Sequence, residues 1–236
     1  MKKRLYHGSQ FIIQKSEYGK GARHNDYGKG FYCTEQIELA KEWACAKQID
    51  GYVNIYDLDF NGLNVLNLND GHYNILNWLA LLADNRTYWQ NGSIAEEAKS
   101  YIKENFLPDI SAYDVIIGYR ADDSYTQVIE AFLLNQINLY EVEKLFYKGS
   151  LGNQIFLKSE KAFKEIHWQN AYQVALSEED KKSDLYARRE VSKFLSERMR
   201  AILLNGYEVP GITARYAVSH LLKYNTESGE YENAGV

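Results

Sequence analysis

Cysteine is scarce in this chain of 236 residues: Cys33 and Cys45 are its only two. One falls in a strand pattern and the other in a helix pattern. Neither a disulfide framework nor a zinc site is expected, no other metal site is anticipated, and a reducing compartment fits. Proline is equally rare, and both Pro108 and Pro210 mark the edge of a helical pattern. Long apolar runs are missing. No segment approaches the roughly 20 residues of a membrane-spanning helix, so no membrane partner is expected. The basic start Met1-Lys2-Lys3-Arg4 is not followed by the apolar run of a secretory signal. A cytoplasmic location, or export by a route without a classical signal, is expected. Positive charge is in deficit, with 27 basic residues against 32 acidic ones and a net charge of -5. That argues against a large non-specific nucleic-acid footprint, though not against a local basic groove. Repeats and low-complexity tracts are absent.

What the chain has in quantity is tyrosine, 20 residues of it, and tyrosine-rich surfaces stack well on flat ligands. Apolar content is ordinary, and the length suits one domain with an appendage or two small ones. Strand patterns fall at residues 4–7, 31–34, 52–58, 63–66, 113–118 and 154–157. Helix patterns fall at 35–47, 75–82, 95–106, 126–134, 139–146 and 162–166. Thr34 is placed to cap the helix that starts at Glu35. Composition shifts after about Gln169. A charged linker is expected over 177–184, then a long helix to Asn205, a second over 212–224 and a disordered tail from Asn225. The Arg188-Arg189 pair and Arg198 with Arg200 read as a solvated helix face.

Two early pieces organise the rest. Leu5-Tyr6-His7-Gly8-Ser9 is a strand ending in a polar corner, and Tyr27-Gly28-Lys29-Gly30-Phe31-Tyr32-Cys33-Thr34 is a glycine-hinged turn entering a strand. Between them Gln10–Asp26 is long, polar and glycine-containing, as a loop folded over a ligand would be. Trp43 follows Tyr32 by eleven residues. Later come Arg120-Ala121-Asp122-Asp123-Ser124-Tyr125 and Gly152-Asn153-Gln154-Ile155-Phe156-Leu157-Lys158-Ser159.

In this order the motifs resemble those of the ADP-ribosyltransferase superfamily, in the branch of the poly(ADP-ribose) polymerases and diphtheria-type toxins. Over residues 3–168 the chain is similar to a family of uncharacterised bacterial proteins of that superfamily. The resemblance implies an α+β fold, a split antiparallel β-sandwich around an NAD cleft at residues 1–170, with a helical C-terminal appendage at 171–236. It implies that NAD is a substrate: the nicotinamide–ribose bond breaks, and ADP-ribose passes to a protein or nucleic-acid acceptor. Toxin, effector or defence enzyme are the settings that fit, with an antitoxin or inhibitor as a candidate partner.

The same resemblance assigns roles. His7 would bond a ribose hydroxyl, and the Gly8 backbone would hold the carboxamide. Ser9 would orient a neighbour or touch the adenosine side. Tyr32 and Trp43 would sandwich the positively charged nicotinamide ring. Arg120, or else Arg23 or Lys29, would hold the pyrophosphate. Asp122 or Asp123 would contact a ribose or an acceptor, or else form a turn and helix cap. Two departures stand out. Ala40 occupies the position where polymerase-type members carry a carboxamide-holding serine. Gln154, with Asn153 beside it, stands where the transferring enzymes have a glutamate. An amide can hold a hydroxyl but brings no full charge. Mono-transfer is therefore expected, with an NAD glycohydrolase or a non-catalytic NAD- or ADP-ribose-binding module as alternatives.

Overall fold

The computed structural model describes residues 1–86, 93–120, 123–148, 153–219, 222–225 and 230–233. Among them the chain is mixed α and β, and it divides into two compact units. One takes Met1–Asn69, Asp109–Arg120 and Leu151–Asp184; the other takes Asp70–Pro108, Ala121–Ser150 and Leu185–Val236.

The first unit holds two sheets. Strands β1 (Lys2–Ser9), β3 (Gly51–Asp59) and β7 (Ile166–Val174) form one, antiparallel throughout in the order β1-β3-β7. Strands β2 (Phe31–Cys33), β6 (Asn153–Leu157), β5 (Val115–Tyr119) and β4 (Val65–Asn67) form the other, in the order β2-β6-β5-β4. The expectation of purely antiparallel sheets fails at its edge, where β4 runs parallel to β5. The edge strands of the two sheets meet at one bridge: Tyr6 N–H donates to Thr34 O at 2.8 Å, and Thr34 N–H to Tyr6 O at 2.9 Å.

The β1-β3-β7 sheet is covered on both faces. Leu5, Tyr56 and Leu58 join Cys33, Val115, Ile155 and Leu157 in one core cluster, and Val53 joins Ala40, Ala44 and Cys45 in a second. The second cluster is built on helix α1 (Ile37–Ala44). That helix starts two residues later than expected. Thr34 Oγ accepts the N–H of Gln36 at 3.1 Å and donates to Asn153 O at 3.0 Å, so it serves the chain just before the first turn.

Strand β7 is absent from the sequence reading, and its pairing gives the reason. Asn170 faces Ile55 and Trp168 faces Tyr56, which leaves Gln169 as an extra residue in a bulge. A one-residue insertion moves a strand's side chains to the opposite face. Ile166 and Trp168 accordingly pack with the first cluster, and Tyr172 and Val174 with the second. No single alternation runs the length of the strand. Short helix α6 (Glu160–Glu165) precedes it, capped by Ser159, whose hydroxyl accepts from Ala162 N–H at 3.1 Å.

In the second unit, α2 (Ile75–Asn85) buries all of Ile75–Ala83. Asn74 and Asn77 close a reciprocal capping box at its start, with Leu76 N–H reaching Asn74 Oδ1 at 2.8 Å. Helices α3 (Ser93–Phe106), α4 (Asp123–Leu133) and α5 (Leu139–Lys148) follow. Helix α7 (Glu178–Asn205) begins inside the stretch expected as a linker. Arg198 is not solvated: it pairs with Glu141 and lies 4.8 Å from the Tyr207 ring. Helix α8 (Ala214–Ser219) is short, and the hairpin of β8 (Leu222–Asn225) and β9 (Glu230–Asn233) replaces both the expected helix end and part of the expected tail. No helix among the described residues is long and apolar enough to cross a membrane.

Candidate functional site

His7 occupies the end of β1 on the same side as Leu5, and its ring lies 4.5 Å from that of Phe31. Its Nδ1 is 2.6 Å from Tyr32 O. A carbonyl oxygen can only accept, so Nδ1 carries the proton and Nε2 of the neutral ring is left as an acceptor. Burial lowers the His7 pKa from its ordinary value, and the Tyr32 carbonyl offsets this in part. An unfolded His7 takes a proton near pH 6.5 while the folded one still resists. Stability from this group is therefore complete above that pH and is lost as pH falls toward the lowered folded value, by at most about 1.4 kcal/mol per pH unit. Urea unfolding at pH 7 and pH 5 should show a larger loss in the parent than in His7→Asn, which keeps a donor for Tyr32 O but does not titrate.

Strand geometry also aims the backbone of Gly8. Tyr6 turns its N–H and C=O to Thr34 at the open edge of β1. Alternation turns those of His7 toward β3 and those of Gly8 back to the same open edge, beyond the bridge. Counting in antiparallel register from Tyr6–Thr34 sets Gly8 opposite Tyr32. The other side of Gly8 is filled by α1. A Cβ there would lie 2.7 Å from Trp43 Cβ and closer still to the backbone of Ala40 and Ala44. The half-buried Trp43 carries the Arg120 guanidinium 5.7 Å over its ring. Arg120 is also paired with Glu42 at 2.9 Å.

Tyr32 has two functions in the fold. Its ring packs on Phe156 at 4.8 Å. Its hydroxyl donates to Gly28 O at 2.6 Å and accepts from Tyr27 N–H at 3.1 Å, which folds the hinge back over the strand. Tyr27 donates to Tyr119 O at 2.7 Å, and only a glycine at 118 leaves room for that hydroxyl. The far end of the long loop is pinned by buried Asn54, which accepts from Ile13 N–H at 2.7 Å and donates to Phe11 O at 3.0 Å. Its middle, including Arg23, is exposed, as is Lys29.

Gln154 is buried, at 3% exposure. Its Nε2 donates to Asp26 Oδ2 at 2.7 Å and to Tyr119 O at 3.1 Å. Neighbouring Asn153 is exposed, and its Oδ1 accepts from Asn69 at 2.9 Å. Sequence reasoning missed Asp26. The one available hint was an acid directly before the Tyr27-Gly28-Lys29-Gly30 hinge, with nothing in the spacing to connect it to a strand far along the chain.

The expected residues thus form a closed chain of contacts. His7 touches Tyr32, and Tyr32 touches the turn after Asp26. Asp26 touches Gln154, and Gln154 touches Tyr119 beside Arg120. Arg120 covers Trp43, and Trp43 packs on Gly8 next to His7. Ser9 is turned to its own loop, accepting from Phe11 N–H at 3.3 Å. Arg23 and Lys29 are exposed and lie outside this ring. Asp122 lies outside the described residues, as does the side chain of Asp123.

Residues 3–168 fit the sequence model of the family described as "Protein of unknown function (DUF3990)". The chain belongs to that family. No curated protein and no solved structure matches it. In this DUF3990 member the match takes in the whole contact ring, from His7 to Gln154.

Proposed function

We propose that the chain is an NAD-dependent mono-ADP-ribosyltransferase on an ADP-ribosyltransferase-like fold. One observation carries the reading: a single bridge, Tyr6–Thr34, joins the two sheets, and alternation from it turns the N–H and C=O of Gly8 to the same edge of β1, beyond the bridge. A planar carboxamide needs one donor and one acceptor side by side, and a strand edge offers that pair.

The neutral His7 supplies Nε2 to accept from a ribose hydroxyl, and the Tyr32 and Trp43 rings favour the cationic nicotinamide by roughly 1–2 kcal/mol when desolvated. That attraction fades as charge moves to the ribose, so the stack serves binding. Gln154 rather than Asn153 is the third-motif residue, because it is the buried one, while Asn153 is exposed and tied to Asn69. Arg120, with Arg23 or Lys29 from the loop, is the phosphate partner, and Ser9 shapes the loop start. The C1′–N bond breaks with its electron pair going to nicotinamide, which leaves neutral. The acceptor's nucleophile bonds to C1′ and releases its proton to solvent.

The test is purified protein with labelled NAD and a cell lysate. The expected result is nicotinamide release with label on macromolecules, falling about 100-fold in His7→Ala. Release without label makes water the acceptor and the protein a glycohydrolase. Saturable NAD binding without release makes it a binding module.

A further inference from the structure

Asp26 is the one charged residue that is buried among the described residues, at 3% exposure. It lies at the end of an otherwise exposed loop, held 2.7 Å from the buried Gln154 amide. A carboxylate and the Tyr119 carbonyl both ask for a donor, so the amide has one satisfactory orientation. Its nitrogen faces Asp26 and Tyr119 O at 2.7 and 3.1 Å, both N–H groups are engaged, and Oε1 is left to accept. An amide that donates to an anion is polarised by it, with extra negative charge on its oxygen.

We propose that Asp26 is a positioning residue that orients and polarises Gln154, so that Gln154 Oε1 replaces a carboxylate oxygen and accepts the ribose hydroxyl next to the breaking bond. This inference rests on the transferase reading above. The pair divides between two side chains what one glutamate does elsewhere: Gln154 supplies the acceptor and Asp26 the charge. Neither has to exchange a proton with substrate.

The experiment measures nicotinamide release from NAD, with melting temperature as the control for folding. Asp26→Asn should lower kcat at least tenfold and leave KM within threefold, since the substituted amide carries no charge and accepts either orientation of Gln154. An active parent with Asp26→Asn equal to it overturns the inference and leaves the transferase reading intact. An inactive parent overturns that reading and this inference together. Where Asp26→Asn does not fold, Gln154→Glu alone decides. Two carboxylates at that separation share a proton, so the kcat–pH profile should gain an ionisation that the parent lacks. An unchanged profile overturns the proposal.

Discussion

Replacing Gly8 with alanine should destabilise the protein by roughly 3 kcal/mol or more, at the upper end of the range for overpacking. The added methyl would lie closer than 3.0 Å to Ala40 O, Ala44 N and Trp43 Cβ at once. Two of those atoms are helix backbone, so no rotamer change relieves the contact and α1 has to lift from the sheet. Gly51→Ala should behave alike, because its methyl would press on Ala44 O and Ser9 O. For a chain of this size the melting temperature should fall by roughly 6–12 °C. Gly62→Ala is the control. Nothing lies within 4 Å of its added methyl, and only the φ of +75° is strained, at about 1–2 kcal/mol. A Gly8→Ala protein melting within about 2 °C of the parent would mean that α1 does not rest on β1.

Removing one oxygen from Tyr32 should open the long loop without unfolding the protein. Tyr32→Phe keeps the ring against Phe156 at 4.8 Å but deletes the bonds to Gly28 O and from Tyr27 N–H. Leaving buried backbone groups unsatisfied costs roughly 1–3 kcal/mol. That cost falls on the loop alone, whose start stays fixed by Asn54 and Tyr56. Trypsin cleavage at Lys20 and Arg23 should accelerate about tenfold or more, while the melting temperature moves by only a few degrees. Tyr32→Ala deletes the ring as well, so its nicotinamide release should fall well below that of Tyr32→Phe. Equal release from both would remove the ring from the proposed site. Unchanged cleavage in Tyr32→Phe would mean the hydroxyl does not latch the loop.

Sequence reading reached the local features of this molecule. Leu5 and His7 share a strand face, Gly30 precedes a strand, and Ile75–Leu82 reads as an apolar helix centre. Each is written within a few consecutive residues. What it missed is held over long separations. Asp26 is a loop acid until β6 brings Gln154 beneath it. Tyr32 reads as an aromatic ring, and its hydroxyl's part in bending the hinge is invisible until Gly28 turns back. Trp43 was legible by its spacing from Tyr32, yet its cover, Arg120, comes from the end of β5. In the sequence Gly8 reads as an opening for a ligand. The helix packed on its other face is a second and independent reason for glycine, which no strand pattern reveals.

The bulge at Gln169 also constrains how chain length can vary. Losing that residue would close the bulge: Asn170 would follow Trp168 in regular alternation, and Tyr172 and Val174 would keep their place against α1. A one-residue loss at the bulge should therefore be tolerated among relatives, whereas a one-residue gain or loss elsewhere in β7 turns the residues between it and the bulge inside out. The spare residue makes one point of the strand a place where the chain can shorten by one without turning any other side chain.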